Sequence, residues 1–207
     1  MKKLLIASSL LLSSSVMASG FYVGGQVGAS STSMKYKNIA TIPSPYYPNK
    51  ITHDISKSGE TGGVYAGYRI DFNDLFISGE IDYNINSSKI EVLNAQVTQE
   101  PAFGLYVLTG TAIGKNVDIY SRLGFSETEI KTEFIRDQTG VITKNNQKIH
   151  GVVLGLGMQY QFNNKLSIRL DYKYSMYKKY DFIYNNRERS FAPSIQLLTI
   201  GIQYAFI

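Results

Sequence analysis

The feature that most constrains the fold is an alternation of apolar and polar residues with a period of two. In the stretch 166–176, every even-numbered residue is apolar or aromatic and every odd-numbered residue is polar. Successive side chains of a β-strand point to opposite faces, so this stretch is predicted to be a strand with one apolar and one polar face. The same alternation recurs at 20–30, 62–70, 75–85, 117–125, 151–162 and 199–206, whereas the register of 102–113 stays undecided. Eight antiparallel strands are therefore predicted.

The connections between these strands are short and long in turn. The short ones, at 71–74, 114–116 and 163–165, are rich in Asn, Asp and Gly, which suit tight turns that need a positive φ. The long ones, roughly 31–59, 86–101, 127–149 and 177–192, are polar and are predicted to be loops. Short periplasmic turns and long external loops are typical of outer-membrane barrels.

The alternating faces predict a closed, eight-stranded, up-and-down transmembrane β-barrel. Beyond the first twenty residues no apolar run reaches the roughly 20 residues that a spanning helix needs. An open sheet would leave unpaired N–H and C=O groups in hydrocarbon, so the strands must close on themselves. A soluble β-sandwich also gives alternating strands. It is disfavoured because the polar positions are rich in Gly and the apolar positions are aromatic at the strand ends.

The N-terminus is predicted to be a cleavable signal peptide over residues 1–18, with the barrel domain at 19–207. Lys2 and Lys3 are followed by the apolar and Ser-rich stretch 4–16, and Ala18 ends a stretch typical of a cleavage site. A retained helical anchor is the alternative. Export through the inner membrane to the outer membrane follows from the signal peptide. The 207 residues contain no Cys, which excludes disulfides, a thiol nucleophile and the lipidated Cys of a lipoprotein. The net charge of +5 falls by two with the signal peptide, so binding to nucleic acid is not expected.

The last strand resembles the terminal strand that the barrel-assembly machinery recognises in outer-membrane barrels. The matching residues are Thr199, Gly201, Tyr204 and Phe206, although Ile207 follows the aromatic residue on which such barrels usually end. Together with the glycine-rich start at 20–28 and the tyrosine-rich strands, this pattern resembles the OmpA-like and opacity-type family over the whole mature chain. The resemblance implies an adhesin, a surface antigen, a structural barrel or a narrow channel. It also implies that the periplasmic peptidoglycan-binding domain of longer relatives is absent.

The polar faces of the predicted strands carry equal numbers of positive and negative charges into the lumen. Glu80, Arg122 and Asp171 each lie five residues beyond the first residue after a tight turn, on strands that rise in the same direction, so they are predicted to share a layer. Buried charges are tolerated only when they are paired. We predict a structural plug of salt bridges, with a gated ion path as the alternative. The predicted lumen network comprises Arg69, Glu80, Asp82, Asp118, Arg122, Arg169, Asp171 and Lys173.

The long connections carry the candidate binding surface. Exposed aromatic rings beside cations suit lipopolysaccharide, a sulfated host glycan or a host surface protein. The alternative is a set of solvated loops that only clear the lipopolysaccharide layer. The candidate residues are Tyr46, Tyr47, Lys178, Lys179, Tyr180, Phe182, Arg187 and Arg189.

His53 and His150 are the only histidines, and neither predicts a catalytic or metal site. Barrel enzymes that modify lipid A use a His with a Ser and an acid, and one type places the Ser two residues from the His on a strand, but here Val152 stands at that spacing from His150. His53 and Asp54 lack a third and fourth metal ligand nearby. No cofactor is expected. The leading interpretation is a non-enzymatic surface protein whose loops mediate adhesion or envelope integrity. A narrow porin-like channel is the first alternative, and a lipid A-modifying enzyme is a distant second.

Overall fold

The computed structural model describes residues 19–40, 50–87, 89–92, 95–135, 142–178, 180–184 and 187–206. The predicted signal peptide, 1–18, lies outside them. No helix in the described ranges is long and apolar enough to span a membrane. The described residues form eleven strands: β1 (Ser19–Ala40), β2 (Lys50–Phe72), β3 (Leu75–Asn86), β4 (Lys89–Val92), β5 (Ala95–Gln99), β6 (Ala102–Ile113), β7 (Val117–Ile135), β8 (Ile142–Gln161), β9 (Leu166–Tyr177), β10 (Tyr180–Tyr184) and β11 (Arg187–Phe206).

Eight of these strands form a closed antiparallel barrel, as predicted. Each long strand pairs with its neighbour in the ring β1, β2, β3, β6, β7, β8, β9, β11. The barrel closes where β11 returns to β1, with Phe206 opposite Phe21 at one end of a continuous ladder. Closure removes the free sheet edges that hydrocarbon does not tolerate.

The three tight turns lie where the sequence placed them. Asn73 has a φ of 55° between β2 and β3, and Gly114 has a φ of 70° between β6 and β7. In the third turn the Asn163 side-chain oxygen accepts hydrogen bonds from the N–H groups of Lys165 and Leu166, both at 2.8 Å. Asn and Gly adopt a left-handed conformation at least cost, which explains Asn73 and Gly114, whereas Asn163 acts through its side chain.

The two faces of the barrel divide the side chains by polarity. In β9, Leu166, Leu170 and Met176 point outward, while Ser167, Arg169 and Asp171 are buried in the lumen. This outward apolar stretch spans ten residue steps, which at about 3.3 Å per step and a tilt of about 40° gives a band roughly 25 Å tall. That height matches the hydrocarbon thickness that outer-membrane barrels cross. The undecided stretch 102–113 has Phe103, Leu105 and Val107 outward.

Aromatic rings mark the edge of the band nearest the tight turns. The outward ring pairs are Phe21 with Tyr68, Tyr160 with Phe162, and Tyr204 with Phe206, with centroids 4.7, 5.3 and 5.1 Å apart. Amphipathic rings prefer the lipid–water interface, so this girdle fixes the barrel vertically. The tyrosines at positions of outward parity include Tyr68, Tyr83, Tyr160, Tyr172, Tyr174 and Tyr204.

The predicted long loops are largely wrong, because strands continue through most of them. β1 runs from the last lipid-facing residue, Val27, on to Ala40, roughly 40 Å further at about 3.3 Å per residue. β2, β7, β8 and β11 also extend well into stretches that were predicted to be loops. Outside the membrane both faces of a strand meet water, so the apolar alternation that marks a strand disappears. Polar, Ser- and Thr-rich sequence is then mistaken for loop.

Above the band, three barrel strands continue with a shift of one residue. β6 pairs with β7 at Phe103↔Glu127, and its continuation β5 pairs at Gln99↔Ile130, one residue out of step. β4 continues β3, and β10 continues β9, in the same way. Such shifts are β-bulges, which bend and twist a sheet locally.

The extended strands form two separate sheets, which we call the first leaf and the second leaf. The first leaf consists of the outer parts of β2, β1, β11 and β10, and the second of β4, β5 and the outer parts of β7 and β8. The β2–β3 ladder ends at Thr61↔Asn86, and the β8–β9 ladder ends at Gly151↔Tyr177. Among the described residues no ladder joins β2 to β4 or β8 to β10. The barrel therefore divides above the membrane along two seams.

Candidate functional site

Six charged side chains meet in the middle of the lumen, and we call them the central cluster. Glu80 bridges two guanidinium groups, with its Oε1 2.8 Å from Arg122 Nη2 and its Oε2 2.7 Å from Arg169 Nη1. Asp171 bridges the same two arginines, at 3.1 Å in each case. The Lys173 Nζ lies 2.7 Å from Asp82 Oδ2. The predicted layer of Glu80, Arg122 and Asp171 is therefore a set of direct contacts.

The remaining two predicted lumen charges form a separate group nearer the tight turns. Arg69 Nη1 lies 2.5 Å from Asp118 Oδ2, and Arg69 Nε lies 2.7 Å from Asp71 Oδ1. The Gln161 amide donates a further hydrogen bond to Asp118 at 2.9 Å. All eight predicted lumen residues therefore take part in ion pairs, divided between the central cluster and this lower group.

Three buried tyrosines complete the central cluster, and each serves one carboxylate. The hydroxyl of Tyr22 donates to Glu80 at 2.9 Å, that of Tyr106 to Asp82 at 3.1 Å, and that of Tyr120 to Asp171 at 2.8 Å. The predicted network omitted these tyrosines. The period of two nevertheless places Tyr22 and Tyr120 on the polar, lumen-facing side of their strands.

Glycines on neighbouring strands make room for these rings. A Cβ added at Gly67 would overlap the Tyr22 ring, and one added at Gly157 would overlap the Tyr120 ring. A narrow eight-stranded barrel has an interior just wide enough for side chains. Gly67 and Gly157 therefore leave the space that the rings of Tyr22 and Tyr120 occupy.

The central cluster fills the cross-section of the barrel. None of its six side chains is more than 3% exposed. Below the cluster, a cavity lined by Arg69, Ser78 and Gln159 among others has room for about one water molecule. Above it, Ile149, Tyr177, Ile195 and Leu197 form a buried apolar layer. Charge, aromatic and apolar layers thus follow each other along the lumen.

The predicted binding surface is only partly described, and the described part is not a loop. Tyr46, Tyr47 and Lys179 lie outside the described residues. Tyr180 and Phe182 belong to β10, and Arg187 and Arg189 belong to β11, where Phe182 pairs with Arg189 in the backbone ladder. Lys178 is exposed, and its N–H bonds to the His150 carbonyl at 3.1 Å. These residues therefore belong to the first leaf or to the seam at its edge.

His150 lies on the outer face of β8, directly above the lipid-facing Val152. Its Nδ1 is 3.3 Å from Glu127 Oε2, and the same carboxylate is 3.5 Å from Lys148 Nζ. His53, predicted to be in a loop, lies within β2 opposite Tyr36. The described residues contain no group of three or more metal-ligating side chains.

The residues of the predicted assembly signal lie on both faces of β11. Thr199 and Gly201 are buried in the lumen, whereas Tyr204 and Phe206 are 42% and 55% exposed on the lipid side. Tyr204 pairs with Val23 and Phe206 with Phe21 of β1. Recognition of this strand by the assembly machinery stays a prediction.

The sequence matches a protein family described as the outer membrane protein beta-barrel domain over residues 4–206. Among solved structures, it is similar to Ail, the attachment invasion locus protein of Yersinia pestis, with 14% identity, a TM-score of 0.45, and coverage of 88% of this chain and 99% of that one. Neisserial surface protein A is 16% identical with a TM-score of 0.44, and the match covers 90% of this chain and 97% of that one. The outer membrane protein OprG from Pseudomonas aeruginosa is 12% identical with a TM-score of 0.48, and the match covers 90% of this chain and 96% of that one. No significant match was found among curated proteins.

Proposed function

Because the chain belongs to the outer membrane protein beta-barrel domain family, we propose that it is a non-enzymatic surface protein whose sealed barrel carries a binding apparatus outside the cell. The barrel lies in the outer membrane. The observation that carries the proposal is the continuation of its strands beyond the lipid-facing band as two leaves. A membrane anchor alone needs only short connections there, whereas sheets whose longest strands extend roughly 25–40 Å, at about 3.3 Å per residue, present a fixed surface.

The filled lumen supports a platform rather than a channel. The central cluster and its tyrosines occupy the barrel within the membrane band, and an ion would have to displace paired charges to pass. Breaking a buried ion pair costs about 3–5 kcal/mol. The narrow channel therefore requires a rearrangement that nothing in the described lumen favours.

A lipid-modifying hydrolase gains little support from the outer rim. His150 and Glu127 form a pair there, but among the described residues no hydroxyl lies within hydrogen-bonding distance of the imidazole. Nucleophilic catalysis needs that third group within about 3 Å. We therefore interpret the contact between His150 and Glu127 as an ordinary surface interaction.

The partner of the leaves is proposed to be a molecule met outside the cell, namely a host surface protein or glycan. The first leaf carries the aromatic and basic residues at 180–189, and these residue types recognise acidic and sulfated groups. Lipopolysaccharide of the same membrane carries phosphates with similar chemistry. Comparing bacteria in the presence and absence of host cells would distinguish a host partner from lipopolysaccharide.

Trimming the first leaf tests the proposal. Ser33 pairs directly with Ser56, so replacing residues 34–55 by Asn-Gly should shorten the hairpin without changing its register. We expect cells that display this version to bind host cells much less than cells displaying the full chain. A matched control replaces the lipid-facing Ile200 with Leu, which leaves both leaves intact. Equal binding by the trimmed and full proteins would contradict the proposal.

A further inference from the structure

A buried tyrosine ring lies at the fork where the two leaves separate on one side of the barrel. Tyr177 is the last residue of β9, and the ladder between β9 and β8 ends there, opposite Gly151. Beyond this fork the chain continues as β10 in the first leaf, whereas β8 continues into the second leaf. Although Tyr177 stands at the end of a strand, it is only 8% exposed. Its side chain is therefore held inside the barrel, directly below the seam.

The Tyr177 ring crosses β8 and reaches β7. A Cβ added at Gly151 would lie 2.8 Å from Cδ1 of this ring, so the glycine makes room for it. Ser126 of β7 pairs with Gly151 on the far side of β8, and its Oγ lies 3.0 Å from the Tyr177 hydroxyl oxygen. Both groups are buried, so this hydrogen bond is shielded from competing water. Tyr177 thus links β9 to both strands at the root of the second leaf.

The same ring also belongs to the buried apolar layer above the central cluster. Tyr177, Ile149, Ile195 and Leu197 form this layer, and each of them is at most 8% exposed. Ile195 and Leu197 lie on β11, at the root of the first leaf, whereas Ile149 lies on β8, at the root of the second. The layer therefore spans the fork, and the Tyr177 ring is the member that also bonds to β7.

The fork at the other seam, between β2 and β4, is closed less firmly. Its last pair is Thr61↔Asn86, and the side-chain oxygens of both residues are buried without a hydrogen-bond partner among the described residues. Above this pair, Ser87 bonds to the backbone of Glu60 through its N–H at 2.9 Å and through its exposed hydroxyl. These bonds join the end of β3 to β2. The relative position of the two leaves therefore depends mainly on the fork at Tyr177.

The length of the leaves amplifies any movement at this fork. On β2, Thr52 lies nine residues beyond Thr61, the last residue of its ladder with β3. On β8, Lys144 lies seven residues beyond Gly151. At about 3.3 Å per residue, these positions are roughly 23–30 Å from the forks, so a rotation of about 10° moves them by roughly 4–5 Å. Such a displacement is larger than the tolerance of a hydrogen bond.

We propose that Tyr177 is a positioning residue of the binding apparatus. It holds the roots of both leaves together, so that an extracellular partner meets the two leaves as one surface of fixed shape. This inference rests on the proposed surface-binding function, and it identifies a residue that controls binding from below the surface. A surface that is ordered before the partner arrives binds more tightly, because less conformational entropy is lost on binding.

The distance between the leaves tests this role directly. The chain contains no Cys, so Thr52→Cys and Lys144→Cys introduce two specific sites for nitroxide labels. The labelled full chain is refolded into lipid nanodiscs, and double electron–electron resonance measures the distribution of distances between the labels. We expect a single narrow distribution. Adding Tyr177→Ala should broaden it by roughly 4–5 Å, the displacement expected for about 10° of rotation.

Two further variants separate the position of the ring from a general loss of tyrosine. Tyr177→Phe keeps the ring and loses the hydrogen bond to Ser126, so it should broaden the distribution less than Tyr177→Ala. The matched control is Tyr172→Ala on the same strand, because Tyr172 faces lipid and is 43% exposed. It should leave the distribution unchanged. Unheated gel mobility checks that each variant folds. If Tyr177→Ala does not fold, Tyr177→Leu takes its place, since Leu keeps apolar bulk but is too short to cross β8.

Host-cell binding by unlabelled variants connects this geometry to function. Cells that display Tyr177→Ala should bind host cells about tenfold less than cells that display the unchanged chain, because the leaves are no longer held in one arrangement. An unchanged distance distribution in Tyr177→Ala, or equal broadening by Tyr172→Ala, would overturn the positioning role. Binding that is lost on trimming the hairpin but kept in Tyr177→Ala would also overturn it, and the surface-binding function would stand. Binding that survives both changes would contradict both proposals.

Discussion

Glu80 is the residue on which the central cluster depends most, because its two oxygens each hold a different arginine. Arg122 and Arg169 share Asp171 as their other close carboxylate partner. If Glu80 is lost, two buried guanidinium groups depend on one close carboxylate. Removing one partner of a buried ion pair is far more costly than replacing the whole pair, because the remaining charge stays out of water.

We therefore predict that Glu80→Ala lowers the heat resistance of the folded barrel. The expected loss in the free energy of unfolding is about 3–5 kcal/mol. It is measured as the temperature at which the fast mobility of the unheated protein is lost on a gel. The control is Glu127→Ala, which removes a 43% exposed carboxylate from surface pairs worth about 0–1 kcal/mol. Equal transition temperatures for the two variants would disprove the role given to Glu80.

Gly67 and Gly79, on the neighbouring strands β2 and β3, test whether a glycine is needed to leave space for a tyrosine ring or for another reason. A Cβ at Gly67 would overlap the Tyr22 ring, whereas a Cβ at Gly79 would meet no atom within 4 Å. We predict that Gly67→Ala destabilises the barrel by about 1–3 kcal/mol through overpacking, and that Gly79→Ala is neutral or slightly stabilising. Urea unfolding followed by circular dichroism measures both. If both changes are tolerated, the ring has another place to go and its bond to Glu80 is dispensable.

The charged part of the lumen was predictable from sequence because parity alone assigns a residue to a face. Glu80 and Arg169 follow directly from the period of two in their strands. Parity does not say which tyrosine serves which carboxylate, since Tyr22 and Glu80 are 58 residues apart and meet only when the barrel closes. The division into a central cluster and a lower group around Arg69 has the same origin.

At the scale of the strand, the limits of a strand can be predicted from sequence where one of its faces meets lipid, and not where both faces meet water. β9 lies wholly within the band and alternates along its length, so its limits matched the predicted stretch of 166–176 to within a residue. In β1 the predicted alternation ends at Ser30, where a run of Ser and Thr follows, and the outer part of the strand was predicted to be loop. In β6, Thr109 and Thr111 stand at outward positions and Leu108 points into the lumen, which explains why no register was assigned there.

The same reasoning predicts how lipid-facing positions respond to charge. Leu170 is 46% exposed and lies near the middle of the band. In a soluble protein, replacing such a residue with Arg changes stability by about 0.5 kcal/mol or less. In a membrane we expect Leu170→Arg to cost about 2–4 kcal/mol. Urea unfolding from lipid vesicles measures this cost, and Ser58→Arg, on the exposed part of β2 above the band, should change nothing. A tolerated Leu170→Arg would be inconsistent with a lipid-facing β9.

At the scale of the whole molecule, the seal and the binding apparatus occupy different heights. The central cluster lies within the membrane band, where the eight-strand ladder is complete, and the two leaves begin only where that ladder divides. The barrel interior is therefore closed by its own side chains and not by the hairpins above it. The leaves are free to vary in length and sequence without opening the membrane.

This separation predicts that removing the hairpin leaves the membrane sealed. Planar-bilayer recordings of the refolded full chain should show no steady conductance steps, because the six charges and three tyrosines fill the lumen. The version in which Asn-Gly replaces residues 34–55 should be equally silent, although it has lost much of the first leaf. Steps that appear only after trimming would place the seal in the hairpin. Steps in the full chain would favour the narrow channel, since ions could then pass a cluster whose pairs exchange partners faster than they block the path.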